Sequence, residues 1–204
     1  MRMNEKVKKE NYVFVVGGPG SSGSSTISIM LAEHFGLERV YGGGLMREEV
    51  TKHGYSSLEE FLSKADKEEV MKVDRAIDTH LRERARSGSV VVESKVFAAL
   101  ATMENIECTA KIWLDASLWR RTLRCVGKKK DLNFFSKIYF FVKTLIDLYM
   151  RRRLDGARYK ELYGVEYSKV SLYNDIVIDS TNINEVETFD LILKRLKDGG
   201  YIKE

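Results

Sequence analysis

The chain has 204 residues, 44% of them hydrophobic and 31% charged, and a formal net charge of +4. That balance is the composition of a globular soluble protein with a substantial core, as one domain or one domain with an inserted lid. Cys108 and Cys125 are too few for a disulfide framework and too far apart for a metal knuckle, and the charged Met1–Glu10 has no apolar core for a signal peptide, so a cytoplasmic protein with reduced thiols is expected.

The first strand is predicted over Tyr12–Val16, and the glycine- and serine-rich run Gly17–Ser25 follows it. From Gly18 to Ser25 this run fits the phosphate-loop pattern G-x-x-x-x-G-K-[ST], with Ser24 in the lysine position. A flexible linker is the bland reading of the same residues. It fails because the run is clamped between an apolar strand and an amphipathic helix over 26–35, whose Ile27, Met30, Leu31 and Phe35 share one face. The glycines let the backbone curl around an anion, and the helix N-terminus adds partial positive charge.

Further strands are predicted over Arg39–Tyr41, Val90–Val92, Ala110–Leu114 and Asp175–Ile178. Helices are predicted over 45–53, 57–63, 66–86, 117–125 and 184–197. Near-continuous apolar strands alternating with helices imply a parallel sheet covered on both faces, with the ligand at its carboxyl edge.

Leu132–Met150 breaks the rhythm. As a helix it gathers Phe134, Phe135, Ile138, Tyr139, Phe141, Val142, Leu145, Ile146 and Tyr149 on a broad apolar face, with the basic runs Lys128–Lys130 and Arg151–Arg153 on either side. Lys137, Lys143 and Asp147 exclude a transmembrane span, since each costs roughly 2.5–3.5 kcal/mol near the bilayer centre. Packing as a core or dimer face is the expected role of helix 132–150, and contact with a membrane surface is the second reading. Because its aromatics gather on one face instead of interleaving with the basic clusters, no nucleic-acid partner is expected.

The order of motifs resembles the nucleoside monophosphate kinases, and within them the short archaeal-type cytidylate kinases. The likeness runs from Tyr12 to about Thr181. After the loop come Tyr41-Gly42-Gly43-Gly44-Leu45-Met46-Arg47, Ser57-Leu58-Glu59-Glu60-Phe61, Asp74 and Glu93-Ser94-Lys95. These are followed by Lys111–Ala116, Arg121 and Arg124, then Arg158-Tyr159-Lys160-Glu161-Leu162-Tyr163-Gly164 and Tyr173–Thr181. The chain departs from the family's pattern at Gly44, at Ser94-Lys95, at Asn174, and in the longer, more aromatic stretch between Lys128 and Arg152.

The resemblance implies a three-layer α/β fold on a five-stranded parallel sheet. It also implies a single domain, 1–204, divided into a core (11–43, 81–123, 158–204), a monophosphate-binding helical part (44–80) and a lid (124–157). It implies Mg²⁺ and ATP as phosphoryl donor, nucleotides as substrates, and transfer to CMP or dCMP. The donor phosphates would sit on Gly18, Gly20, Ser21, Ser22, Gly23, Ser24, Ser25 and Thr26, with Ser25 on the metal. Arg47, Asp74, Glu93 and Lys95 would serve the acceptor, with Glu93 orienting a metal-bound water. Arg121, Arg124, Arg151, Arg158 and Lys95 would carry the catalytic positive charge. A lysine at position 24 would supply a few kcal/mol of transition-state stabilisation, about 2.7–4 by analogy with one lost donor. Other cations must take over that charge if the chain turns over. The alternative is a catalytically impaired nucleotide-binding relative that acts as an interaction module through its aromatic helix.

Overall fold

The computed structural model describes residues 11–129 and 133–203; the expectations for Met1–Glu10 and for Lys130–Leu132 lie outside them. The chain runs β1 (Val13–Gly17), α1 (Ser24–Phe35), β2 (Glu38–Tyr41), α2 (Gly42–Lys52), α3 (Leu58–Lys64), α4 (Lys67–Ser87) and β3 (Val90–Glu93). It continues with α5 (Phe97–Met103), β4 (Ala110–Asp115), α6 (Leu118–Gly127), α7 (Phe134–Tyr163), a 3₁₀ helix (Tyr167–Tyr173), β5 (Ile176–Asp179) and α8 (Glu185–Asp198).

Five strands form one sheet in the order β2-β3-β1-β4-β5, and every pairing is parallel. β1 is apolar along its whole length because it is central and covered on both sides. Val13 and Val15 join a cluster with Ile77, Leu81 and Phe97, while Phe14 and Val16 face Ile27, Leu31 and Ile192 on the other side. The alternation of strand side chains thus divides the core into two layers, with α4 and α5 over one face and α1 and α8 over the other.

Order β3-β1-β4 places the carboxyl ends of β1 and β3 side by side, with Val16 opposite Glu93. Everything that follows those two strands therefore opens on one edge of the sheet.

Helix α7 corrects one expectation. It does not end near Met150 but runs 30 residues to Tyr163, where Gly164 closes it in a left-handed turn (φ 69°). Only part of its expected apolar face is packed within the chain: Phe141 and Leu145 are half-buried, whereas Phe135 is 81% exposed, Tyr139 71%, and Val142, Ile146 and Tyr149 about half. The side turned inward mixes polar and apolar residues: Thr144, Asp155 and Tyr159 are buried and Phe140 and Leu148 half-buried, while the polar Asn133, Lys137, Lys143 and Asp147 stay exposed. Among the described residues no helix is long and apolar enough to cross a membrane.

Candidate active site

A cavity of about 280 Å³ opens at the carboxyl edge of the sheet, near the lower end of small-ligand sites, which run about 300–1,000 Å³. One wall is the loop after β1, with Gly17, Gly18, Gly20, Ser21, Ser24 and Ser25. The facing wall brings in Arg47 from α2, Asp74 and Asp78 from α4, Lys95 after β3, and Arg151, Asp155 and Arg158 from α7.

The loop is built for an anion. α1 begins at Ser24 with no side-chain cap and no acidic residue in its first turn, because Gly23 (φ 108°) stands at the capping position. α2, whose first residues Gly42 and Gly43 also line the cavity, likewise has no side-chain cap. By contrast, Ser57, Asp66, Ser117, Asn133 and Asn184 cap helices α3, α4, α6, α7 and α8. Uncapped N–H groups and an uncompensated helix dipole make such N-termini binding points for phosphate. Gly18 cannot be replaced, since a Cβ there would stand 2.3 Å from Ser22 Oγ and 2.5 Å from the Leu114 carbonyl.

Arg121 and Arg124 lie against the loop, not in the open cavity. The Arg121 guanidinium, buried, donates to the carbonyls of Ala116 (3.0 Å) and Gly20 (3.1 Å). Arg124 donates to the carbonyls of Ser22 (2.8 Å) and Ser180 (2.6 Å) and to Ser180 Oγ (3.1 Å). Loop carbonyls turned away from a bound anion need donors, and these two arginines supply them. Ser21, held at φ 66°, places its Oγ 2.9 Å from Cys125 Sγ.

Glu93 is buried and already engaged. Its carboxylate accepts from Ser25 Oγ (2.5 Å) and Ser28 Oγ (2.7 Å) and pairs with the Arg39 guanidinium, which also donates to Ser28 Oγ (2.8 Å). Because the Ser25 proton points at Glu93, the lone pairs of that hydroxyl are free toward the loop. A hydroxyl backed by a carboxylate is a hard-oxygen donor set that fits Mg²⁺.

The acceptor wall is a charge chain across three elements. Lys95 pairs with Asp155, Arg158 lies 3.5 Å from Asp155, and Arg158 Nε stands 3.6 Å from Asp74 Oδ2. That last separation is too long for a hydrogen bond, so Asp74 Oδ2 and Arg158 Nε and Nη1 are buried without hydrogen-bond partners. Burial pushes the Asp74 carboxyl up to about 6, against the pull of Arg158. Burial also lowers Lys95, opposed by Asp155. Asp78 is raised by burial despite accepting from the Tyr163 hydroxyl. Arg47 stacks on the Tyr41 ring at 5.1 Å, and Arg39 stacks on the same ring at 4.7 Å.

Of the expected site residues, the cavity gathers Gly18, Gly20, Ser21, Ser24, Ser25, Arg47, Asp74, Glu93, Lys95, Arg151 and Arg158; Thr26 lies in the first turn of α1 beside them. Sequence reasoning missed Arg39, Asp78 and Asp155. Asp78 had a signal, since it lies one turn after Asp74 on the apolar stripe Val73–Ile77–Leu81. Arg39 had none, because its role depends on β2 lying beside β3.

A parallel sheet whose central strand ends in a glycine-rich loop and an uncapped helix, facing a cluster of cations, defines a P-loop phosphoryl-transfer protein. Residues 16–131 match the family model described as AAA domain. The chain is 34% identical to a cytidylate kinase of Methanopyrus kandleri, over 88% of this chain and 90% of that one. It is 29% identical to a cytidylate kinase of Pyrococcus horikoshii, over 90% and 88%. The shikimate kinase of Acinetobacter baumannii superposes with a TM-score of 0.55 at 16% identity, covering 95% of this chain and 96% of that one, which is a likeness of fold. The chain belongs to the cytidylate kinase family.

Proposed function

We propose that the chain transfers the terminal phosphoryl group of ATP to a cytidine monophosphate, CMP or dCMP. The observation that carries this reading is the shared cavity, in which an anion-binding loop faces Arg47, Lys95, Arg151 and Arg158 around the buried Asp74, whose Oδ2 has no hydrogen-bond partner. The substrate follows the names of the relatives in the family.

The loop Gly18–Ser25 and the start of α1 hold the donor phosphates, kept in shape by Arg121 and Arg124. Arg47 and Lys95 hold the acceptor phosphate, and Lys95 exchanges its tie to Asp155 for the phosphate as it does so. Asp74 Oδ2 accepts from the amino group of cytosine, where uracil would present a carbonyl oxygen and be repelled. An oxygen of the acceptor phosphate then attacks the terminal phosphorus in line, the bridging bond to ADP breaks, and Arg151 and Arg158 stabilise the charge spread over the transferring group. Ser25, backed by Glu93, would hold Mg²⁺, which when bound neutralises charge on the nucleotide phosphates. These cations, in this reading, supply the charge that a lysine at position 24 would otherwise carry. In this reading 44–80 binds the acceptor and 124–157 is the lid, which closes to exclude water.

The test is coupled ADP release with Mg·ATP and CMP, dCMP, UMP, AMP or GMP, run beside Ser24→Lys. Turnover of CMP and dCMP ahead of the others by the wild-type chain is the expected result. Activity in Ser24→Lys alone would favour the impaired-relative reading, and silence from both chains would overturn the assignment.

A further inference from the structure

The outward face of α7 answers to nothing in the active site. Phe135, Tyr139, Val142, Ile146 and Tyr149 recur at steps of four, three, four and three residues, which sets them along one side of the helix. All five are exposed, whereas Phe140, Phe141, Leu145 and Leu148 of the same helix are half-buried. Beside them Trp119 of α6 is 61% exposed and rests edge-on against Phe141 at 4.6 Å. A stripe of this length and apolarity facing water marks a contact surface.

The charges around the stripe select what covers it. Lys143 lies on one flank, Arg152 on the other, and Arg153 continues the stripe after Tyr149, all three exposed. On this side of the helix the three basic side chains Lys143, Arg152 and Arg153 are answered by no acid but Asp147, while Lys137 and Arg151 fall on the opposite side. A second copy of the same face would bring basic flanks against basic flanks with a single carboxylate from each chain to answer them. An anionic lipid surface complements both features, because headgroup charge meets the rim while the aromatic and aliphatic side chains enter the acyl boundary.

We propose that α7 docks its outward face flat on an anionic membrane surface, with Trp119 entering the interface beside it. The helix lies on the bilayer and does not cross it, since no described helix is long and apolar enough to span. The proposal is independent of the nucleotide specificity.

The test is co-sedimentation with vesicles of phosphatidylcholine alone or mixed equally with phosphatidylglycerol, with tryptophan emission followed in parallel. Binding is expected to be at least about ten-fold tighter to the anionic vesicles, to weaken with added salt, and to shift the Trp119 emission to the blue. Val142→Glu and Ile146→Glu, both at exposed positions, abolish it, and Lys143→Glu with Arg152→Glu removes the anionic preference. Leu172→Glu, at an exposed apolar residue elsewhere, leaves binding unchanged. Far-UV circular dichroism confirms that each variant is folded. Three results would each overturn the proposal. One is no binding to either vesicle, and another is equal, salt-insensitive binding to both. The third is a dimer by light scattering that Val142→Glu dissociates, which would assign the face to a second copy.

Discussion

Asp74→Asn should move stability and substrate affinity in opposite directions. The Asp74 carboxyl is buried and its pKa is raised from 3.8 to about 6. At about 1.4 kcal/mol per pH unit, keeping this group ionised above pH 6 costs the fold up to roughly 3 kcal/mol. The folded chain holds the proton more tightly than the unfolded one. The stability from this group is therefore fully present below pH 3.8, declines as pH rises, and is gone above about 6. Asparagine removes the cost, and Arg158 keeps Asp155 as its counter-ion. Thermal unfolding at pH 7.5 is expected to shift upward by as much as roughly 6–12 °C, with the gain vanishing toward pH 4. The same substitution loses a charge-assisted hydrogen bond to the acceptor base, worth about 1.5–3 kcal/mol, so kcat/KM for CMP falls roughly 10- to 150-fold. UMP is affected far less. A structural ion-pair partner would behave in the reverse way: a lower melting temperature at pH 7.5 with CMP kinetics unchanged would refute the reasoning.

Two further substitutions probe the supports of the loop. Arg124→Ala removes three hydrogen bonds to Ser22 and Ser180, so urea unfolding should show a loss of about 2–4 kcal/mol and the KM for ATP should rise more than that for CMP. Equal effects on the two substrates would place Arg124 in the transfer step instead. Glu93→Gln leaves the half-buried Arg39 guanidinium beside a neutral amide, and losing this charge-assisted bond costs about 1.5–3 kcal/mol. It should also weaken Mg²⁺ dependence through Ser25, read as a higher metal concentration for half-maximal turnover. Unchanged stability together with an unchanged metal requirement would contradict that arrangement.

The phosphate loop was legible in the sequence because everything that defines it is local. Glycines, a flanking apolar strand and an amphipathic helix fall within 25 residues of one another. Strand positions were legible within one residue for the same reason. Helix α5 was not, since its first five residues, Phe97–Ala101, are all buried and show no apolar periodicity. α2 starts at Gly42, three residues before the expected start, because a glycine triplet argues against a helix until the Tyr41 ring packs on it. For α7 the sequence identified the apolar face but not the direction in which it points, as the pattern is identical whether that face meets a core or solvent. The direction is set by Asp155 and Arg158, whose ties to Lys95 and Asp74 turn the opposite face inward. Arg39 and Asp155 were invisible because they meet their partners only through strand order and helix docking.

Helix α7 also acts as an amplifier. Thirty residues make a rod of roughly 45 Å, with Arg151, Asp155 and Arg158 toward one end and Phe135 near the other. A tilt of roughly 10° about Asp155 moves Arg151 by about 1 Å but sweeps Phe135 through about 5 Å, as follows from 1.5 Å of rise per residue. A fluorophore or spin label placed at the tip would therefore read an ångström-scale adjustment at Arg151 as a displacement several times larger, so the far end of the rod is the place from which to watch the pocket close.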